Sequence, residues 1–443
     1  MSETAVHLVA WVTWILVAAV AAGSLVTWLR KTHELAAPLP ICVGALSLYL
    51  LPRAAYLLWF GRAPLTSAGL PLADQTTLIA DTLTLSLVAV LAFLAGHRSP
   101  SAEVAGGRLR FALPDADGAR AIWIAGALGA VGLLALAYLL QGVGGIAYAI
   151  RHQSELGGLL QGKQAVSQLT RLLIVPSALL LVDPARGRSR WWVWLIALGS
   201  AVALFPLGRR SFIVLALGYP FVLYHLTVRR IPVRWMLVTS VILGAFLFSF
   251  SFLRLIGTES LGKAIQVLLR QPESAVHFAF TATGELKIFD AATIVVRDVP
   301  KELPFNYGAT FARVPWMIIP RQMWTAKPVT LGEVIVARYL PQLRTGYPPT
   351  AIGEFYTAGG AFAVLLGFFG LGWLGRAGWE WHKRHPGIGN ASVYLAFCFF
   401  VFDFTRVGDP SRTVWFLLLG WAFFTVAFCA AAKPSMRPVG AGP

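Results

Sequence analysis

The sequence predicts an all-α polytopic membrane protein with about eleven transmembrane helices, and three observations carry that prediction. Apolar residues make up 57% of the 443 and charged residues only 13%, with a mean hydropathy of +0.68, far from a soluble globular balance. Apolar runs close to the ~20 residues that cross a hydrocarbon core as a helix recur along the chain. Lys and Arg collect in alternate short segments between those runs, as they do when basic loops set membrane orientation.

Taken in order, the runs fall at 5–29, 39–60, 77–96, 120–141, 167–183, 191–206, 211–228, 235–254, 351–376, 390–405 and 413–432. The first has neither a basic leading segment nor an Ala-x-Ala-like exit, so it reads as a retained span rather than a cleaved signal. The run at 191–206 is short and exits through Gly208-Arg209-Arg210. The stretch 274–296 is also apolar but contains His277, Glu285, Lys287 and Asp290. Residues 255–296 are therefore expected to form interfacial or re-entrant helices, with Glu285, Lys287 and Asp290 on an interfacial polar face. Three regions follow: a bundle of about eight spans at 1–254, an extracytoplasmic loop at 255–350, and three spans with a short cytoplasmic tail at 351–443.

Placing the N-terminus outside gives the inner segments seventeen of the 37 Lys/Arg, from Arg30 and Lys31 through to Lys433 and Arg437, and the short outer loops seven. The long segment 254–349 carries eleven more, which weigh little because long loops cross largely regardless of charge. Orientation thereby accounts for much of the net charge of +17, and no soluble basic domain with interleaved aromatics exists to bind nucleic acid. Cys42, Cys398 and Cys429 lie in apolar runs and the eight histidines are scattered. Neither a disulfide framework, nor a transition-metal site, nor a cofactor is expected.

The polar residues on the outer face are the candidates for chemistry. Arg209 and Arg210 follow Phe205-Pro-Leu-Gly208, and Arg151 lies in the 142–166 loop. Arg313, Arg321 and Lys327 lie in the long loop, whose 319–328 segment reads Ile-Pro-Arg-Gln-Met-Trp-Thr-Ala-Lys-Pro; Arg406 and Arg412 flank Gly408-Asp409-Pro410. Guanidinium groups suit a diphosphate because the planar fork offers paired donors and stays charged. Each group also has a plainer reading: snorkelling to lipid phosphates for Arg209 and Arg210, a solvated loop face for Arg313, Arg321 and Lys327, and a local salt bridge with Asp403 or Asp409 for Arg406. Trp316 and Trp324 either anchor the interface or line a sugar. Glu354 follows the Pro348-Pro349 break at the opening of a span, where it would point into a vestibule or simply favour a helix start. His277, His152 and Asp409 are further base candidates. Nothing matches a Ser-His-Asp, P-loop or deaminase signature.

Four stretches carry a resemblance: Gly208-Arg-Arg-Ser211 entering a span; Tyr307-Gly-Ala-Thr310 followed by Ile319-Pro-Arg321 and Trp324-Thr-Ala-Lys-Pro328; Thr350-Ala-Ile-Gly-Glu354 with Gly359-Gly360; and Arg406-Val-Gly-Asp409. In these the chain resembles bacterial oligosaccharide repeat-unit polymerases (O-antigen and capsule, Wzy-type), mainly over 200–412. It departs from their pattern at Val407, where an Arg-Gly pair is common, and at Thr325-Ala326, where Pro-Asp often precedes Lys-Pro. The resemblance implies a GT-C-like fold in the bacterial cytoplasmic (inner) membrane with its active face extracytoplasmic. It implies glycosyl transfer from a polyprenyl-diphosphate-linked glycan to a lipid-linked repeat unit, inverting and metal-independent, with a chain-length regulator as a further partner. Arg209, Arg210, Arg313 and Arg321 would hold the diphosphate, supported by Arg406 and Arg412. Glu354 would be the base, with His277 or Asp409 in reserve. A ligase of the same superfamily and a lipid-linked oligosaccharide transporter remain the alternatives.

Overall fold

The computed structural model of the protein describes residues 3–32, 37–60, 72–152, 156, 163–182, 191–208, 210–232, 234–236, 238–239, 242, 288–319, 323–324, 329–339 and 347–433. Among these the only β-pairing is a single bridge between Ala116 and Ala432. The helices are α1 (Glu3–Thr32), α2 (Pro38–Phe60), α3 (Leu72–His97), α4 (Pro100–Arg108), α5 (Gly118–Gln141), α6 (Ile146–Arg151), α7 (Gln164–Leu169), α8 (Val175–Leu179), α9 (Trp191–Leu204), α10 (Arg210–Thr227), α11 (Ile288–Asp298), α12 (Ala309–Ala312), α13 (Leu331–Tyr339), α14 (Thr350–Arg384), α15 (Ile388–Val407) and α16 (Pro410–Ala430). Seven stretches, within α1, α2, α3, α5, α14, α15 and α16, are long and apolar enough to cross a membrane, and the protein is a multi-pass all-α membrane protein. Shorter apolar stretches at Val166–Val182, Trp191–Leu207 and Ser211–Thr227 coincide with three more expected runs, while the run at 235–254 falls mostly outside the described residues.

Local chemistry explains the helix boundaries. Pro38, Pro100 and Pro410 open their helices, where a missing N–H costs nothing. Asp117 caps α5 by accepting from Arg120 N–H at 3.0 Å. Within spans, hydroxyls return to the carbonyl one turn back, as Thr13 does to Val9 and Thr82 to Leu78, both at 2.8 Å. Polar groups in an apolar environment are thereby satisfied inside their own helix.

Contacts divide the chain into two compact units, each gathering segments distant in sequence: Met1–Leu109, Phe248–Trp381 and Phe397–Leu417 in one, Arg110–Leu247, His382–Ala396 and Leu418–Pro443 in the other. In the second unit Trp421 Nε1–H donates to Val393 O at 3.1 Å, and the Tyr219 ring stacks on Phe424. Leu113 N–H donates to Asn390 Oδ1 at 2.7 Å.

In the first unit α1, α2 and α3 pack together, and α11 lies against α2 and α3. Ala291, Ile294 and Val295 of α11 form a core cluster with Val299, Ile335 of α13 and Tyr347. The expected interfacial polar face is corrected here for its described member. Asp290 is 1% exposed, and Arg53 of α2 grips it through Nε at 3.0 Å and Nη2 at 2.6 Å. A charge that would be expelled to an interface alone can be enclosed once a guanidinium arrives with it. Glu285 and Lys287 lie outside the described residues. α14 is interrupted at Gly359-Gly360: Gly360 has φ 67 and ψ −154, a backbone open essentially to glycine alone.

Candidate functional site

The site forms where the start of α14, the 305–318 segment and the α15–α16 junction meet within the first unit. Pro348-Pro349 stop any preceding helix, and α14 begins at Thr350 with φ 63. A buried β-branched residue in the left-handed region is an outlier that the surroundings must enforce, at about 1–3 kcal/mol. One such constraint is Gly408, itself at φ 75, whose backbone presses against Thr350. A Cβ on Gly408 would lie 2.1 Å from the Thr350 carbonyl oxygen. The Thr350 hydroxyl accepts from Ile352 N–H at 3.2 Å and so caps the new helix.

Glu354 follows one turn later and is 2% exposed. It was expected either to point into a vestibule or to favour the helix start, and the described residues enclose it. The cover is α12, brought in by a turn at Asn306-Tyr307-Gly308. Asn306 donates through its backbone N–H to Thr357 O at 2.8 Å and through Nδ2 to Thr357 Oγ1 at 3.0 Å. Thr357 Oγ1–H in turn donates to Glu354 O at 2.7 Å. Asn306 Oδ1 accepts from Gly308 N–H at 2.9 Å, closing the turn. Behind α12 the Phe311 ring stacks on Phe355 with centroids 5.6 Å apart, and Phe404 meets both rings edge-on. These rings pack α12 against the first turns of α14 and the end of α15.

Among the described residues, Thr310, Arg313 and Asp409 act on the Glu354 carboxylate. The Thr310 hydroxyl faces it, yet neither Glu354 Oε1 nor Thr310 Oγ1 makes a well-formed hydrogen bond among the described residues. Arg313 is oriented by two carbonyls, with Nε–H donating to Ala309 O at 3.1 Å and Nη1–H to Val329 O at 3.0 Å. Of five guanidinium N–H donors this leaves three without a partner among the described residues. Asp409 Oδ1 accepts the N–H groups of Ser411 at 3.0 Å and Arg412 at 3.2 Å, capping α16. Burial pushes the Asp409 pKa up, against the pull of those N–H groups and of Arg412. Trp415 Nε1–H donates to Val314 O at 3.2 Å and ties α16 to the 305–318 segment.

Three sequence candidates from three distant segments, Arg313, Glu354 and Asp409, are therefore brought together. Arg406 donates from Nη2 to Asp403 Oδ1 at 2.8 Å, a local salt bridge. Arg412 is exposed, with its guanidinium 5.2 Å over the Phe416 ring. Trp324 is half-buried and Trp316 exposed. Arg209, His277, Arg321 and Lys327 lie outside the described residues, and Arg151 and Arg210 are described in their backbone alone. Within the second unit α6, which ends at Arg151, packs on the Phe205–Leu207 turn that leads into Arg209 and Arg210. His152 stacks on Tyr148 and hydrogen-bonds its carbonyl at 3.0 Å, a local structural role.

Sequence reasoning missed Thr310 as a neighbour of Glu354, and it missed Arg53 altogether. A signal for Arg53 existed. The census of loops and tails leaves two of the 37 Lys/Arg, Arg53 and Arg171, and both lie inside apolar runs. A charge there is a functional candidate by default. The chain matches no family model, and neither a characterised protein nor a solved structure matches it.

Proposed function

We propose that this protein is a membrane glycosyltransferase of the oligosaccharide repeat-unit polymerase type, working at the extracytoplasmic face of a bacterial cytoplasmic membrane. About eleven spans in a GT-C-like arrangement belong to the same reading. The observation that carries it is an enclosed carboxylate, Glu354, with an open oxygen, a hydroxyl and an arginine beside it, at the opening of a span.

The donor is a glycan on polyprenyl diphosphate and the acceptor a hydroxyl of a second lipid-linked repeat unit. The acceptor oxygen attacks the anomeric carbon as the bond to the diphosphate oxygen breaks, with inversion in a single displacement. The electron pair leaves with the lipid diphosphate, and the acceptor proton passes to Glu354 Oε1. Arg313 supplies fixed positive charge where negative charge develops, and Arg209, Arg210 and Arg321 are assigned to the same diphosphate. Asp409, with Oδ1 engaged as a helix cap, keeps the α15–α16 junction in place and serves less well as a base.

The test is reconstitution into vesicles with lipid-linked repeat units as the only substrates. A ladder of products is expected from the parent and a loss of about 10²–10⁴-fold in its rate from Glu354→Gln. A parent that yields no ladder until a different acceptor is supplied is a ligase. Ladders of parental rate from Glu354→Gln remove Glu354 as the base.

A further inference from the structure

We propose that the buried Arg53–Asp290 pair is a positioning device for Glu354: it fixes α11, and through α11 the first turns of α14. The pair joins α2 to α11 across 237 positions of sequence. Arg53 is 5% exposed, and its Nε and Nη2 reach the two oxygens of one carboxylate. Such a fork fixes direction as well as distance, which a single ammonium contact does not. The Tyr56 ring lies 5.4 Å from the guanidinium carbon and closes its face.

α11 holds the Glu354 turn from two sides. Its Val295 Cγ2 lies 3.6 Å from where a Gly353 Cβ would be, one residue before Glu354. Ala291, Ile294 and Val295 pack with Tyr347, three residues before the left-handed Thr350. On the other side the chain leaves α11 through Val299, Leu303 and Phe305 of the same cluster and arrives at Asn306, which is hydrogen-bonded to Thr357. α11 therefore sets both the entry of α14 and the cover over its carboxylate.

Stability alone does not call for this pair. Replacing a buried ion pair by apolar residues of similar volume is often neutral or stabilising. An apolar pair, however, would let α11 slide and rotate against α2. The strained Thr350 backbone needs neighbours that do not move.

The experiment uses the full chain with Cys42, Cys398 and Cys429 replaced by Ala, carrying Asn306→Cys and Thr357→Cys, whose native side chains touch at 3.0 Å. Oxidative crosslinking of that pair in membranes reports α11 register without any substrate. Crosslinking should be fast in the parent. In Arg53→Met/Asp290→Leu it should slow by about fivefold or more while the thermal midpoint in detergent stays within a few degrees. Parental crosslinking in the folded apolar pair overturns the proposal, as does failure of the parent background to crosslink. If the apolar pair does not fold, Arg53→Lys carries the test, because it keeps the charge and loses the fork; parental crosslinking there also overturns it. A second arm, which rests on the polymerase reading, measures product ladders without the cysteine changes and expects the apolar pair to lose kcat with KM unchanged. Slowed crosslinking alongside a parent that makes no ladders sinks the polymerase reading and leaves the positioning role intact.

Discussion

Two carboxylates in the first unit are almost equally enclosed, and they are treated in opposite ways. Asp290 is met by a guanidinium fork at 2.6 and 3.0 Å. Glu354, 2% exposed, has an oxygen with no well-formed hydrogen bond among the described residues. Buried polar groups are ordinarily satisfied, and an exception calls for a reason. The difference separates two uses of charge in one fold. On the roles proposed above, the answered carboxylate fixes where a helix lies and the open one receives the acceptor proton.

The largest expected effects test that division directly. Glu354→Gln should lower turnover by about 10²–10⁴-fold with the thermal midpoint near parental. Asp290→Asn should do the reverse in kind: leaving Arg53 buried without its anion costs about 3–5 kcal/mol, read as a lowered midpoint and reduced folded yield. If Asp290→Asn is as stable as the parent, or Glu354→Gln unfolds, the two carboxylates do not differ as claimed. Arg313→Ala comes next, with a loss of about 10²–10³-fold in rate if its free donors meet developing charge. Arg313→Lys keeps the charge without the fork; an Arg313→Ala variant at parental rate removes Arg313 from the site.

How far the sequence reaches follows the same division. The spans are legible because hydropathy is a local property: the described apolar helices fall on ten of the eleven runs read from composition. Glu354 and Arg313 are legible because polar residues bracketing a span in a chain this apolar are few. The Arg53–Asp290 contact is not, since neither residue's neighbours in sequence announce a partner 237 positions away. A tally of loop charges also passes over charges inside spans. Thr310 was invisible for a different reason. Hydroxyls in apolar helices usually turn back on their own backbone, as Thr13 and Thr82 do, and only the docking of a four-residue helix aims this one elsewhere.

The frame around the open carboxylate can be strained by a single methyl group. Gly408→Ala adds a Cβ 2.1 Å from the Thr350 carbonyl and places a non-glycine residue at φ 75. A destabilisation of about 1–3 kcal/mol is expected, with activity falling further than stability because Thr350 leads directly into the Glu354 turn. Gly408→Ala at parental stability and rate would show that the junction does not hold Thr350 in place.

The smallest effect concerns Asp409, which lies close to Glu354 but is engaged in a different task. As a helix cap it should lose about 1 kcal/mol on change to Ala, and little on change to Asn, which caps as well. Its charge has the opposite sign of effect. Burial raises the Asp409 pKa in the folded state, so the fold binds this proton more tightly than the unfolded chain does. The stabilisation from that proton is fully present below the ordinary Asp range near ~3.9 and is lost as pH rises through the folded value. Asp409→Asn should therefore flatten the decline in thermal midpoint over that window and match or exceed the parent above it. A steeper decline in Asp409→Asn, or a large loss of rate at neutral pH with the fold intact, would move Asp409 from the frame of the site into its chemistry.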